Sequence, residues 1–328
     1  MINEKELEEI RDSLEKHILQ LNFEGEPAEL YEPISYLMQL GGKRIRPLLA
    51  LLSYGLFKEG YQKILTPASA VEVFHNFTLM HDDIMDNAPI RRGRPTVHEK
   101  WDDNTAILSG DVMLVKAYEM LLDVEADKLR NCLKLFSKTA AEVCEGQQLD
   151  MNFESLNQVA EQDYLNMIRL KTAVLLGFSL QLGATLAGAS ESDAIHLYDF
   201  GVNIGIGFQL KDDLLDVYAD KEKFGKQVGG DILANKKTYL LIKAMELAKG
   251  EDKKELEHWL TAKEFDPAEK IIGVKSIYDR LEIRKKTMTL MADFFEKGFN
   301  QLATIKVQRP EGLKILWSLT HKLATREN

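Results

Sequence analysis

Two aspartate triplets of identical spacing, Asp82-Asp83-x-x-Asp86 and Asp212-Asp213-x-x-Asp216, stand where apolar sequence gives way to charge. The first follows AVEVFHNFTLMH and the second follows DFGVNIGIGFQLK, both nearly free of charged residues. Positions i and i+4 of a helix lie about 40° apart, so Asp82 and Asp86 share a face, as do Asp212 and Asp216. Each triplet falls at the C-terminal end of its predicted helix, where unsatisfied carbonyls already concentrate negative charge. Carboxylates placed there call for cations. Neither triplet contains Cys or His, and an oxygen-only ligand set suits a hard ion such as Mg²⁺, which takes a few carboxylates together with substrate phosphate. All six aspartates are candidate metal ligands.

Three basic clusters accompany them. GGKRIRP supplies Lys43, Arg44 and Arg46; Arg91-Arg92-Gly93 begins five residues beyond Asp86; Lys226 and the pair Lys236-Lys237 flank the loop after the second triplet. Surface lysines and arginines are ordinary when taken singly. Their closeness to the acid clusters is what matters, because the planar fork of arginine matches phosphate oxygens. Acids interleaved with bases are what a metal–diphosphate complex requires.

The elements that must carry these residues are helices. No proline lies between Pro95 and Pro267, and apolar residues recur at three- and four-residue spacing, as in Leu114, Ala117, Tyr118, Leu121 and Leu122 or Leu165, Ile168, Ala173, Leu176 and Leu180. Helix starts are expected at Thr66-Pro67, Gly110-Asp111 and Asp266-Pro267. Gly201, Gly205 and Gly207 follow no strand, so they read as close helix packing rather than a phosphate loop. With no linker or low-complexity segment, the expectation is all-α: a single domain over 1–328, roughly a dozen helices in one large bundle with a central cavity. Long buried helices would let the two triplets face one cavity.

The whole chain sets further bounds. Its 328 residues carry a net charge of −10, which argues against nucleic acid as a partner. Cys132 and Cys144 are the two cysteines, too few for a disulfide framework, so a reducing cytoplasm is expected. The N-terminal stretch is charged and amphipathic, unlike a signal peptide. VLLGFSLQLGATLAGA from Val174 reads as too short and interrupted for a membrane span.

The sequence closely resembles the trans-type isoprenyl diphosphate synthases, or polyprenyl synthetases. The matching motifs are GGKRIRP at 41–47, HNFTLMHDDIMD at 75–86, RRG at 91–93 and GD at 110–111, then GQ at 146–147, KT at 171–172, FQLKDDLLD at 208–216, GK at 225–226 and NKKTY at 235–239. The resemblance implies a reaction in which an allylic diphosphate (dimethylallyl, geranyl or farnesyl) ionises, isopentenyl diphosphate attacks the carbocation, and a proton is lost. It implies Mg²⁺, three ions with bound diphosphate, and a homodimer. Carried over by position, Asp82, Asp86 and Asp212 would bind metal, with Asp83, Asp213 and Asp216 supporting. Arg91, Lys171, Lys226 and Lys236 would hold the allylic diphosphate, and Thr172 and Gln209 would line the site of the developing cation. Lys43, Arg46, His75 and Arg92 would hold isopentenyl diphosphate.

In such enzymes product length is set by what blocks the cavity below the first triplet. The residue five positions before Asp82 is Phe77, about 7.5 Å lower along a helix; Phe74 lies next beneath it, and Thr78 does not double the floor. That pattern most resembles the archaeal geranylgeranyl synthases, with farnesyl diphosphate the next product. Two alternatives remain open from sequence: a class I terpene cyclase, which would normally replace the second triplet, and a non-catalytic subunit of a heteromeric synthase, which would lose aspartates or basic ligands.

Overall fold

The structure, a computed structural model, describes residues 2–219 and 229–325; Lys226 and the GK motif at 225–226 lie outside the described residues. The fold is all-α. Among the described residues, strands are limited to β1 (Ile90–Arg91) and β2 (Arg94–Pro95), which pair in one short hairpin. The chain gathers into two compact units: Met1–Thr139 with Leu175–Tyr198 and Thr304–Leu319, and Ala140–Val174 with Asp199–Ala303 and Thr320–Asn328.

The first unit is built from α1 (Ile2–Leu19), α2 (Ala28–Gln39), α3 (Ile45–Gly55), α4 (Leu65–Met85), the hairpin, α5 (Val97–Lys100) and α6 (Asp103–Leu121). The first half of α7 (Ala126–Ser155) and nearly all of α9 (Val174–Ala187) join them. Helix α4 starts where the Thr66-Pro67 signal places it, with Pro67 in the first turn, where a missing N–H costs nothing. It buries residues on every side, from Pro67, Ala68 and Val71 to Phe74, Phe77 and Met80, which marks it as a core helix rather than a surface one. Two glycines let helices approach it and one another. A Cβ on Gly110 of α6 would lie 2.2 Å from Nε2 of His81 in α4, and one on Gly183 of α9 would lie 2.0 Å from the carbonyl oxygen of Ala50 in α3. Gly110-Asp111 is thus not a helix start, as the sequence suggests, but a mid-helix contact. Helix α6 begins earlier, where the Asp102 side chain accepts from the backbone N–H of Thr105 at 2.9 Å.

In the second unit α8 (Glu161–Ile168) runs through a π-helical turn, Arg169–Ala173, into α9. The helical run from Glu161 to Ala187 is 27 residues, long enough to cross a membrane by length and composition. The apolar stretch from Val174 is the last part of this run. Burial within the protein is what explains its apolarity, since 67% of its most apolar window is buried. Helix α10 (Glu191–Tyr218) carries the second triplet at its end. Gly207 behaves as expected for close packing, a Cβ there lying 2.9 Å from the Phe295 ring. Around it, Phe153, Tyr164, Ile168, Leu210 and Tyr239 form one apolar cluster, and Leu240, Leu241, Ile277, Tyr278 and Ile283 another. The helix at Pro267–Arg280 has its expected cap, Asp266 accepting from Ala268 and Glu269 at 2.8 and 3.0 Å.

Candidate active site

The first triplet forms the last turn of α4, with Asp86 as its C-cap. Asp82 is half-buried, Asp86 exposed and Asp83 buried. Both oxygens of Asp83 are engaged by Arg91, whose Nε and Nη2 donate at 2.7 and 2.6 Å. Burial pulls the Arg91 guanidinium down, but the hydrogen bonds and charge of Asp83 outweigh it and leave the group above its ordinary value. The hairpin delivers this arginine. Its two-residue turn places Arg92 at φ 53° and Gly93 at φ 76°, the doubly positive pattern of a type I′ turn. Sequence reading missed the hairpin because Arg-Gly is not the usual Asn-Gly signal.

Arg92 Nη1 donates to the carbonyl of Gly41, so the hairpin also grips the GGKRIRP loop. Along that loop Lys43 is exposed, Arg44 buried and Arg46 half-buried. Arg46 Nη1 donates to His75 Nε2 at 3.0 Å. A guanidinium has only donors, so this imidazole is the neutral Nδ1–H tautomer. Burial, then the charges of Arg46 and Arg92, hold His75 well below the usual histidine range. Burial also lowers the Arg46 guanidinium, opposed by Glu72 and reinforced by Arg92. The Nε of Arg46 is enclosed and has no hydrogen-bond partner. A shielded cationic donor left unspent beside three further bases calls for an anion.

Below the triplet, Phe77 and Phe74 are buried, their centroids 5.6 Å apart. Phe77 sits edge-on to His81 at 4.8 Å, and Phe74 meets Phe136 of α7 at 5.2 Å. The expected floor residues are thus the top of an aromatic stack within the first unit.

The second unit gathers the other predicted residues. Asp212 is exposed at the end of α10, and Asp213 is buried. Asp213 accepts from Gln209 Nε2 at 3.2 Å and from the Tyr164 hydroxyl. Gln209 also accepts from Thr172 Oγ1 at 3.4 Å. Thr172 and Lys171 sit in the π-helical turn, a distortion common at functional sites. Gly146 makes room for that turn, since its Cβ would lie 2.2 Å from the Lys171 nitrogen. Lys171 Nζ donates to Asp150 at 2.7 Å. Asp216 accepts the backbone N–H of Asp231 at 3.0 Å, and the Lys236 N–H donates to the carbonyl of Asp231. Tyr164, Asp150 and Asp231 escaped sequence reasoning because they reach the site from other parts of the chain. For Asp150 and Asp231 the one legible signal was proximity to the GQ and NKKTY motifs.

Burial pushes the Asp213 carboxyl up to about 6, against the hydrogen bonds of Tyr164 and Gln209, and pushes Asp231 up to about 7, against the charge of Lys236. Neighbouring carboxylates add to both shifts. Acids held together at this cost in charge are a cation-seeking set. No three Asp, Glu, His or Cys side chains among the described residues close into a cage.

The comparisons with known proteins agree with this chemistry. The polyprenyl synthetase family model matches residues 27–279. A geranylgeranyl diphosphate synthase of Methanosarcina mazei is 46% identical over 222 residues, 67% of this chain and 68% of its own length. The geranylgeranyl diphosphate synthase of Saccharolobus solfataricus is 36% identical over 313 residues, 90% of this chain and 93% of its own. A crystal structure of a geranylgeranyl pyrophosphate synthase is similar with a TM-score of 0.91 and 43% identity, over 98% of this chain and 99% of that one. With most of its length matched, the chain belongs to the polyprenyl synthetase family and is a prenyltransferase of the short-chain isoprenyl diphosphate synthase type.

Proposed function

We propose that this prenyltransferase condenses isopentenyl diphosphate with an allylic diphosphate and releases geranylgeranyl diphosphate, acting in the cytoplasm as a homodimer. Residues 1–328 act as one catalytic domain; the unbroken helix α7, shared between the two units, supports this. Asp82, Asp86 and Asp212 hold Mg²⁺, three ions when diphosphate is bound. Asp83 and Asp213, their oxygens engaged by Arg91 and by Tyr164 and Gln209, support from behind, as does Asp216. When bound, the metal supplies the positive charge that a departing diphosphate requires.

The chain's own residues bind, orient and exclude water. Arg91, Lys171, Lys226 and Lys236 hold the allylic diphosphate. Thr172 and Gln209, already bonded to each other, line the developing cation with oxygen. Phe77 and Phe74 close the apolar side against hydrolysis. Lys43, Arg46, His75 and Arg92 take the diphosphate of isopentenyl diphosphate. The observation that carries the reading is the enclosed Arg46 Nε with no protein partner. A homodimer is supported by Leu108, Val115 and Leu122, which recur every seven residues along the α6 face at 57, 63 and 57% exposure; a monomeric mass by light scattering in fully active enzyme would contradict it.

The two diphosphate roles are separable by kinetics. Lys43→Ala or Arg46→Ala removes a charge-assisted contact worth about 1.5–3 kcal/mol, so the KM for isopentenyl diphosphate should rise roughly 10- to 100-fold. The KM for the allylic substrate should stay near wild type. Equal weakening of both substrates would refute the assignment.

A further inference from the structure

Arg44 lies between two residues read as phosphate ligands, Lys43 and Arg46, yet it is spent elsewhere. Its side chain is 4% exposed and that of Glu72 3%. Nη1 donates to Glu72 Oε1 at 2.9 Å, Nη2 to the carbonyl of Met38 at 2.7 Å, and Nε to Glu15 at 3.3 Å. Asn76 Nδ2 donates to the same Glu72 oxygen at 3.3 Å. All three guanidinium nitrogens are therefore committed to protein, whereas Arg46 keeps an unspent Nε.

The backbone at this point is unusual. Arg44 caps α3 with φ 45° and ψ 36°, after Gly41 at φ 74° and Gly42 at φ 149°. A left-handed conformation at a non-glycine residue costs roughly 1–2 kcal/mol and persists only where its surroundings impose it. The imposing contacts come from α4, where Glu72, His75 and Asn76 fall on one helical face. Glu72 holds Arg44 and His75 holds Arg46, two rungs between the same loop and the same helix. At the opposite edge, Arg92 holds the carbonyl of Gly41.

We infer that the buried Arg44–Glu72–Asn76 knot is a positioning device that sets Lys43 and Arg46 for the diphosphate of isopentenyl diphosphate. The inference rests on the reading of this loop as the isopentenyl site. Stability alone is a weak reason for such a pair, because a buried ion pair replaced by apolar residues of similar volume is often neutral. That property separates positioning from folding.

The test compares Tm with the two Michaelis constants in Glu72→Gln, in the double variant Arg44→Met/Glu72→Leu and in Arg44→Lys, alongside Lys43→Ala and Arg46→Ala. Glu72→Gln should lower Tm and raise the isopentenyl KM, by roughly ten-fold or more, as expected when ligands shift by about an ångström. The double variant should recover most of the lost Tm and keep the raised isopentenyl KM, with the allylic KM near wild type. Arg44→Lys, which retains charge but not the three-nitrogen fork, should show the same selective rise and gives the test if the double variant does not fold. A wild-type isopentenyl KM in either folded variant would overturn the inference, as would equal rises for both substrates. If Lys43→Ala and Arg46→Ala leave that KM unchanged, the reading of the loop itself fails. If they raise it and the Arg44 and Glu72 variants do not, only the positioning role fails.

Discussion

At the scale of single residues, the two aspartate triplets hold unequal members. Asp83 and Asp213 are buried with both oxygens engaged, whereas Asp86 and Asp212 are exposed at helix ends. Identical spacing in sequence could reveal the pattern but not this division, because the engaging groups, Arg91 and Tyr164, arrive from other elements. Asp82→Ala or Asp212→Ala should reduce kcat by roughly 10²-fold or more, the scale for loss of leaving-group stabilisation, with Tm nearly unchanged. Asp83→Ala should instead lower stability by about 1–3 kcal/mol, since the half-buried Arg91 loses its partner. Thermal melts beside steady-state rates check both, and equal behaviour of Asp82 and Asp83 would contradict the division.

Asp213 and its neighbour Asp231 set a pH dependence in the metal-free protein. Asp213 and Asp231 are raised to about 6 and about 7, so between roughly pH 4 and 7 the folded state holds protons the unfolded chain has released. Their contribution to stability is therefore full below the ordinary carboxylate range and is lost as pH rises through those values. In chelator, Asp231→Asn should flatten the fall in urea midpoint between pH 5 and 7.5, a change of about 1–3 kcal/mol. An unaltered slope would show that Asp231 does not carry the shift.

At the scale of elements, α4 was the most legible part of the chain, because its apolar length, Pro67 and aspartate end are all local signals. The π-helical turn at Arg169–Ala173 and the early start of α6 were not, since Gly146 and Gly110 act through helices distant in sequence. The aromatic residues proposed as the cavity floor show the same division. Phe77 was singled out through the family resemblance, whereas the Phe136 ring that backs Phe74 had no signal in the sequence. Phe77→Ala should lengthen the product by at least one isoprene unit with condensation intact. Truncating a packed phenyl ring costs about 3–5 kcal/mol in a closed core, and less where a longer prenyl chain can fill the space. Product chromatography of the folded, active variant decides it; an unchanged profile would place the floor at Phe74 or Phe136.

At the scale of the whole molecule, the all-α class followed from pattern alone, through absent prolines and three-to-four periodicity. Family membership followed from colinear motifs. What pattern could not supply is which charges neutralise one another within each unit, the Arg44–Glu72 and Lys171–Asp150 pairs among them. The condensation and its product length can be measured directly. The purified enzyme should therefore be incubated with Mg²⁺, labelled isopentenyl diphosphate and each allylic primer in turn, and the dephosphorylated products separated by chain length. Geranylgeraniol is the expected main product from dimethylallyl, geranyl and farnesyl primers, with none formed in chelator. Farnesol as the end product would contradict the product assignment, and no metal-dependent elongation from any primer would contradict the function itself.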